Sequence, residues 1–151
     1  MTLQSVLVYL IQNKQIDVIV QRHFVVLHMD NQNKLTENVI KKIKTESFIH
    51  GELMSSHGIV NMFLEGTPQA LIYQNLNNFG VVFVFTSSDD SDNRIAASLT
   101  LNAITTRMAS LIKNLSVEKV MAQPEDVYAI LDCYIPNGQV IIVNDQVSRN
   151  L

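Results

Sequence analysis

Apolar and polar positions divide this chain into short apolar runs and longer stretches of helical spacing. Val6-Leu7-Val8-Tyr9-Leu10-Ile11 and Ile16-Asp17-Val18-Ile19-Val20 are β-rich and flank Gln12-Asn13-Lys14-Gln15, a polar link of hairpin length. Beyond a polar stretch from Asp30 to Lys34, Leu35, Val39, Ile40 and Ile43 recur at helical spacing, with Lys41, Lys42 and Lys44 mostly outside, which predicts a first helix. Three further strands are predicted at Ile59 to Leu64, Ala70 to Gln74 and Phe79 to Phe85. The breaks between them, Glu65-Gly66-Thr67-Pro68 and Asn75-Leu76-Asn77-Asn78, consist largely of turn-forming residues.

The longest periodic segment follows Ser87-Ser88-Asp89-Asp90-Ser91-Asp92-Asn93, which offers several N-caps. Its apolar stripe is Ala97, Leu101, Ile104, Met108, Leu111 and Leu115, one buried face of a long helix. A last helix is announced by Pro124 at its first position and by Glu125 and Asp126 facing the positive end of the helix dipole. Val127, Ile130, Leu131 and Tyr134 fall on one face of it. Ile135-Pro136-Asn137-Gly138 stops it, with Gly138 expected in a left-handed turn. The order β-β-α-β-β-β-α-α predicts an α+β fold, an antiparallel five-stranded sheet packed with helices.

At 151 residues the chain fits one domain, 1–151. The net charge of −3 and the absence of any basic run longer than Lys41-Lys42 argue against a nucleic-acid partner. Charged residues are only 17% of the chain, so uncharged Asn and Gln carry much of its polarity, a composition compatible with a permanent partner. Residues 1–11 lack the basic start and small-residue cleavage site of a signal peptide. The longest later apolar run, Val81 to Phe85, is far short of the roughly 20 residues of a membrane span, so a soluble protein is expected.

Catalytic and metal chemistry find little support. No two of the four histidines, His23, His28, His50 and His57, stand at the spacing of paired helix ligands. Asp89-Asp90-Ser91-Asp92-Asn93 lacks the glycine and closing glutamate of a calcium loop and reads better as helix capping. Cys133, the sole cysteine, is expected to be a buried small hydrophobe, because no cation or helix N-terminus is placed to make its thiolate. The five glycines are scattered singly, leaving no phosphate-cradling loop. Neither a cofactor nor a catalytic residue is expected.

Taken as one string, Ala70-Leu71-Ile72-Tyr73, the aromatic strand Phe79 to Phe85, the acidic link, the long helix and Tyr128-Ala129-Ile130-Leu131-Asp132 resemble the longin-type small subunits of adaptor-protein and coat complexes. In the sigma chains of that family an Ile/Val-Tyr strand precedes an aromatic strand, and the closing helix carries Ile-Leu-Asp-Glu followed shortly by Gly-x-Ile/Val. The matching positions are Ile72, Tyr73, Ile130, Leu131, Asp132, Gly138 and Val140. Cys133 stands where the family usually has Glu, and Ser98 to Ile104 lacks the acidic and histidine residues of clathrin-type chains. Three divergent relatives fit better: the small subunit of the TSET complex, which is preferred, that of the fifth adaptor-protein complex, and the zeta chain of the COPI coat.

The resemblance implies a longin-like, non-enzymatic, cytosolic subunit. Its partners would be a large adaptin-like chain and the beta-like and mu-like subunits of the same complex, through which alone it would touch a membrane in vesicle-mediated transport. No residue is matched to the dileucine-signal pocket of clathrin-type sigma chains. The competing readings are another longin-type trafficking module, which should run on into a heptad-patterned coiled coil, and an α+β enzyme, which should show polar groups converging on an apolar pocket.

Overall fold

The computed structural model describes residues 3–12, 15–25, 29–49, 52–53, 57–64, 66–76, 78–86 and 91–140. Strands β1 (Ser5–Gln12) and β2 (Gln15–His23) lead to helix α1 (Met29–Ser47) and a short pair, β3 (Phe48–Ile49) with β4 (Glu52–Leu53). Then come β5 (His57–Leu64), β6 (Thr67–Leu76) and β7 (Phe79–Thr86), and finally α2 (Ser91–Leu115), α3 (Val117–Ala122) and α4 (Glu125–Tyr134), closed by a 3₁₀ turn at Pro136–Gly138. Five strands form one antiparallel sheet in the order β2-β1-β7-β6-β5, a longin-like α+β arrangement.

The strands run longer than their apolar runs because sheet pairing carries polar end residues along: β6 starts at Thr67 and β2 ends at His23. Likewise α1 begins at Met29, so the polar stretch from Asp30 to Lys34 is helical rather than a link, held by the buried Leu35, Val39 and Ile43 further along. Neither the β3–β4 pair nor α3 is expected from periodicity, both being too short to show a period. Ser116 starts α3, adopting a positive φ of 95° while its hydroxyl accepts the Lys119 N–H. Pro124 sits one position before the predicted one, at the N-cap of α4, where its missing N–H is equally harmless. Ser87 to Asp90, among the proposed caps of α2, lie outside the described residues, as does the side chain of Leu115.

Both faces of the sheet are covered, which explains why Val81 to Phe85 is apolar without alternation. Leu7, Tyr9, Leu71, Tyr73, Val82 and Val84 pack beneath α1. Val6, Val8, Ile72, Phe83 and Phe85 pack on the other face against Ala97, Leu101, Ile104 and Met108 of α2 and Val127, Leu131 and Tyr134 of α4. Each such large side chain contributes about 1.5–3 kcal/mol when fully buried. Leu111 and Ile130, expected on these faces, are half-buried at their margins. By length and composition alone, Arg94–Lys113 of α2 could span a bilayer. Polar residues interrupt its apolar runs, and its Ala97–Met108 stripe is already committed to the sheet.

Beneath α1 the buried Tyr9 hydroxyl donates to Asn75 Oδ1 on β6, across the intervening β7. The ring fits there because Gly80 on β7 is its register partner; a Cβ at Gly80 would collide with both the Tyr9 ring and Asn75 Oδ1. Burial pushes the Tyr9 phenol far above its ordinary range, and repulsion from Tyr73 adds to this.

Candidate interaction surface

The seven residues that carry the sequence pattern do not line one pocket. Ile72 and Tyr73 are successive residues of β6, so they point to opposite faces, both buried: Ile72 toward α2 and Tyr73 toward α1. Leu131 is fully buried on α4 in the same core as Ile72, and Ile130 and Val140 pack partly against it. Gly138 holds the turn after α4 with a φ of +80°, the left-handed conformation expected of it. Its carbonyl accepts the Leu3 N–H at 2.8 Å, and a Cβ there would sit 2.6 Å from Phe24 Cγ. Asn137 is also left-handed, at φ 54°, so the turn uses two such residues.

Asp132 is exposed on α4, where it forms an ion pair with Arg22 of β2. The Arg22 guanidinium also lies over the Tyr128 ring, 4.7 Å from its centroid, so one side chain ties the β2 edge of the sheet to α4. Arg22 escapes detection in the sequence because nothing local links it to residues 106 to 110 positions away. Beside it, His23 Nδ1 and the Ser5 hydroxyl are 2.7 Å apart, and burial lowers the His23 pKa from its ordinary value. His57 opens β5, while His28 and His50 lie outside the described residues.

Cys133 is exposed, contrary to its expected burial. Leu131 and Tyr134 turn inward on either side of it, leaving Cys133 on the outer face of α4. A hollow of about 290 Å³ between β2 and α1 is lined by Val18, Ile19, Gln21, Asn33, Thr36 and Glu37. It places one carboxylate among amides and a hydroxyl, with Thr36 Oγ1 donating to Gln21 Oε1 at 2.7 Å.

Apolar exposure is concentrated elsewhere. Among the described residues the exposed large apolar side chains are Val25, Ile59, Phe63, Ile95 and Leu99. Ile59 and Phe63 are on β5, an edge strand, and pair in register with Ile72 and Pro68 of β6. Because Ile72 faces α2, Ile59 and Phe63 stand on the α2 side of the sheet as well. Ile95 and Leu99 share a stripe of α2 with Asn102, whose Oδ1 accepts from Gln74 Nε2 of β6 at 3.2 Å. That hydrogen bond places Asn102, at the end of this stripe, over β6.

A model of the AP-5 complex subunit sigma-1 family matches residues 10–151. The chain belongs to the AP-5 complex subunit sigma-1 family. It is therefore a sigma-type small subunit of an adaptor complex, a class of non-enzymatic, cytosolic, peripherally membrane-associated components of vesicle-mediated protein transport. Of the three divergent relatives considered, the match falls on the fifth adaptor-protein complex and lends nothing to the preference for TSET. No curated protein sequence matches the chain.

Proposed function

We propose that this chain is the sigma subunit of a heterotetrameric adaptor complex of the AP-5 type, in which it packs against a large adaptin-like chain beside beta-like and mu-like subunits. The observation that carries this reading is the family match over residues 10–151. A sheet covered on both faces by the chain's own helices supports it, because the protein then presents a finished core and recruits partners through its rim. On this reading residues 1–151 are one longin-like unit. Ile72, Tyr73, Ile130, Leu131, Asp132, Gly138 and Val140 act in it as structural residues, building the core, the α4 turn and the β2–α4 tie. Membrane contact is made by the complex.

Permanent interfaces commonly exceed about 2,000 Å² in total and are more apolar than transient ones. Co-expression with the large chain is expected to raise the soluble yield, because a partner that binds only the folded form stabilises it by mass action. The two chains are expected to co-elute at equal stoichiometry from size exclusion at moderate salt, conditions that weaken a merely electrostatic contact. Elution of the small chain alone, at an unchanged yield, refutes the proposal.

A further inference from the structure

We infer that the hollow between β2 and α1 is a binding site for a lysine side chain presented by another polypeptide. A β-bulge builds its wall on the sheet side. Val20 is the register partner of Val8 and Val18 that of Tyr9, which leaves Ile19 without a partner on β1. In a regular strand Val18 and Ile19 would point to opposite faces, yet both line the hollow. The bulge also switches the faces of the residues beyond it: Ile16 and Val18 pack beneath α1, whereas Val20 joins the core beneath α2 and α4. Gln21 is thereby turned toward α1, where its Oε1 accepts from Thr36 Oγ1 and fixes the distance between the two walls. Asn33, Thr36 and Glu37 form the helix wall, three and four residues apart on one face of α1. Bulges at sheet edges recur next to active sites, where they re-aim side chains as this one does.

The groups in the hollow select a cation with an apolar stem. Glu37 is the one ionisable residue among the described residues that line it, and it is exposed. Among the described residues Glu37 forms no ion pair, although Lys34 and Lys41 stand one turn to either side of it. It lies mid-helix, beyond the reach of the dipole at either end, so capping does not account for it. Thr36 commits its proton to Gln21, so its oxygen presents lone pairs to the hollow. Val18 and Ile19 add half-buried aliphatic surface. A lysine matches this set, with a flexible four-carbon stem and an ammonium whose three donors suit the Glu37 carboxylate, the Thr36 hydroxyl oxygen and the Asn33 side-chain oxygen. A volume of about 290 Å³ lies at the small end of ligand sites, which suits one side chain. The source is a polypeptide because β2 pairs only with β1, leaving its outer main-chain N–H and C=O groups to hold the backbone that carries the lysine. Asp17, Arg22 and the bulge oppose a long added strand, which confines that contact to a few residues around the lysine.

The test titrates the full, isotope-labelled chain at moderate salt and follows its backbone amide shifts by NMR. The ligands are the blocked peptide Ala-Ala-Lys-Ala-Ala, the same peptide with norleucine in place of lysine, and pentylamine, which has the stem and ammonium without a backbone. The lysine peptide is expected to move the amides of Val18 to Gln21 and of Asn33 to Glu37 saturably, and to bind about tenfold more tightly than either comparison ligand. Glu37→Gln is expected to weaken the lysine peptide about tenfold, and Glu118→Gln, at an exposed acid of α3, to leave it unchanged. Both acids are exposed, so both variants are expected to keep the wild-type urea midpoint. The norleucine comparison uses the wild-type chain alone, so the need for an ammonium is read even if Glu37→Gln shifts that midpoint. Absence of a saturable shift at these amides overturns the site, as does equal binding of the norleucine peptide, wild-type affinity in folded Glu37→Gln, or equal loss in Glu118→Gln. Pentylamine binding as tightly as the lysine peptide assigns the hollow to a free alkylamine and overturns its assignment to a polypeptide.

Discussion

Leu101 and Leu99 are two residues apart on α2 and differ in one respect that matters to stability: Leu101 is 2% exposed and Leu99 is 59% exposed. Truncation of either to alanine removes the same atoms and improves helix propensity by the same small amount, so the difference between the two variants isolates burial. The lost carbons amount to about three methylene equivalents, or about 2.4 kcal/mol of transfer free energy for a fully buried leucine. Leu101 packs among Ile104, Met108 and the aromatic residues of β7, side chains that cannot fully close over the gap, so the cavity raises the cost of Leu101→Ala to about 3–5 kcal/mol. Leu99→Ala should fall within about 0.5 kcal/mol of wild type. Urea unfolding of the purified chain, with a slope of about 2 kcal/mol per molar, turns this into a midpoint about 1.5–2.5 M lower for Leu101→Ala and almost unmoved for Leu99→Ala. Equal midpoints would refute the placement of α2 on the sheet.

Gly80→Ala is expected to cost about 1–3 kcal/mol by forcing the Tyr9 ring and Asn75 apart, measured as a lower melting temperature. Gly138→Val is expected to destabilise through both its φ of +80° and its contact with Phe24, and a melting temperature equal to wild type would contradict the turn described here. Arg22→Ala breaks a half-exposed ion pair with Asp132 and also removes the stacking on Tyr128, so it should cost about 1–2 kcal/mol in thermal unfolding, of which the ion-pair share diminishes with added salt. Because burial lowers the His23 pKa, the unfolded chain binds the proton more readily, so stability is present above the unfolded value of about 6.5 and falls as pH drops below it. Unfolding of wild type and His23→Gln between pH 7.5 and 5 should show the shallower decline in the variant.

Where apolar periodicity extends over several turns or a whole strand, the sequence is sufficient to place the element. The Ala97–Met108 stripe, the five sheet strands and the α4 face are each dictated by residues close together in the chain, and so is the Gly138 turn. Relations across the fold are not written locally. Nothing in the sequence near Gly80 announces that Tyr9 will lie against it, and nothing near Arg22 points to Asp132 and Tyr128. The exposure of Cys133 is in principle readable, because Leu131 and Tyr134 already claim the inner face of α4. The β5 rim has a signal too, an edge-strand candidate without charge or proline. It becomes informative only once the strand order puts β5 outside β6, at the edge of the sheet.

Whether this chain is a subunit of an adaptor complex is decided by affinity purification of the tagged chain from its own cells, with proteins quantified by mass spectrometry. Recovery is expected, in equal amounts at moderate salt, of an adaptin-like large chain together with the other subunits of one adaptor complex. A monodisperse monomer that brings down no adaptin-like chain would contradict it.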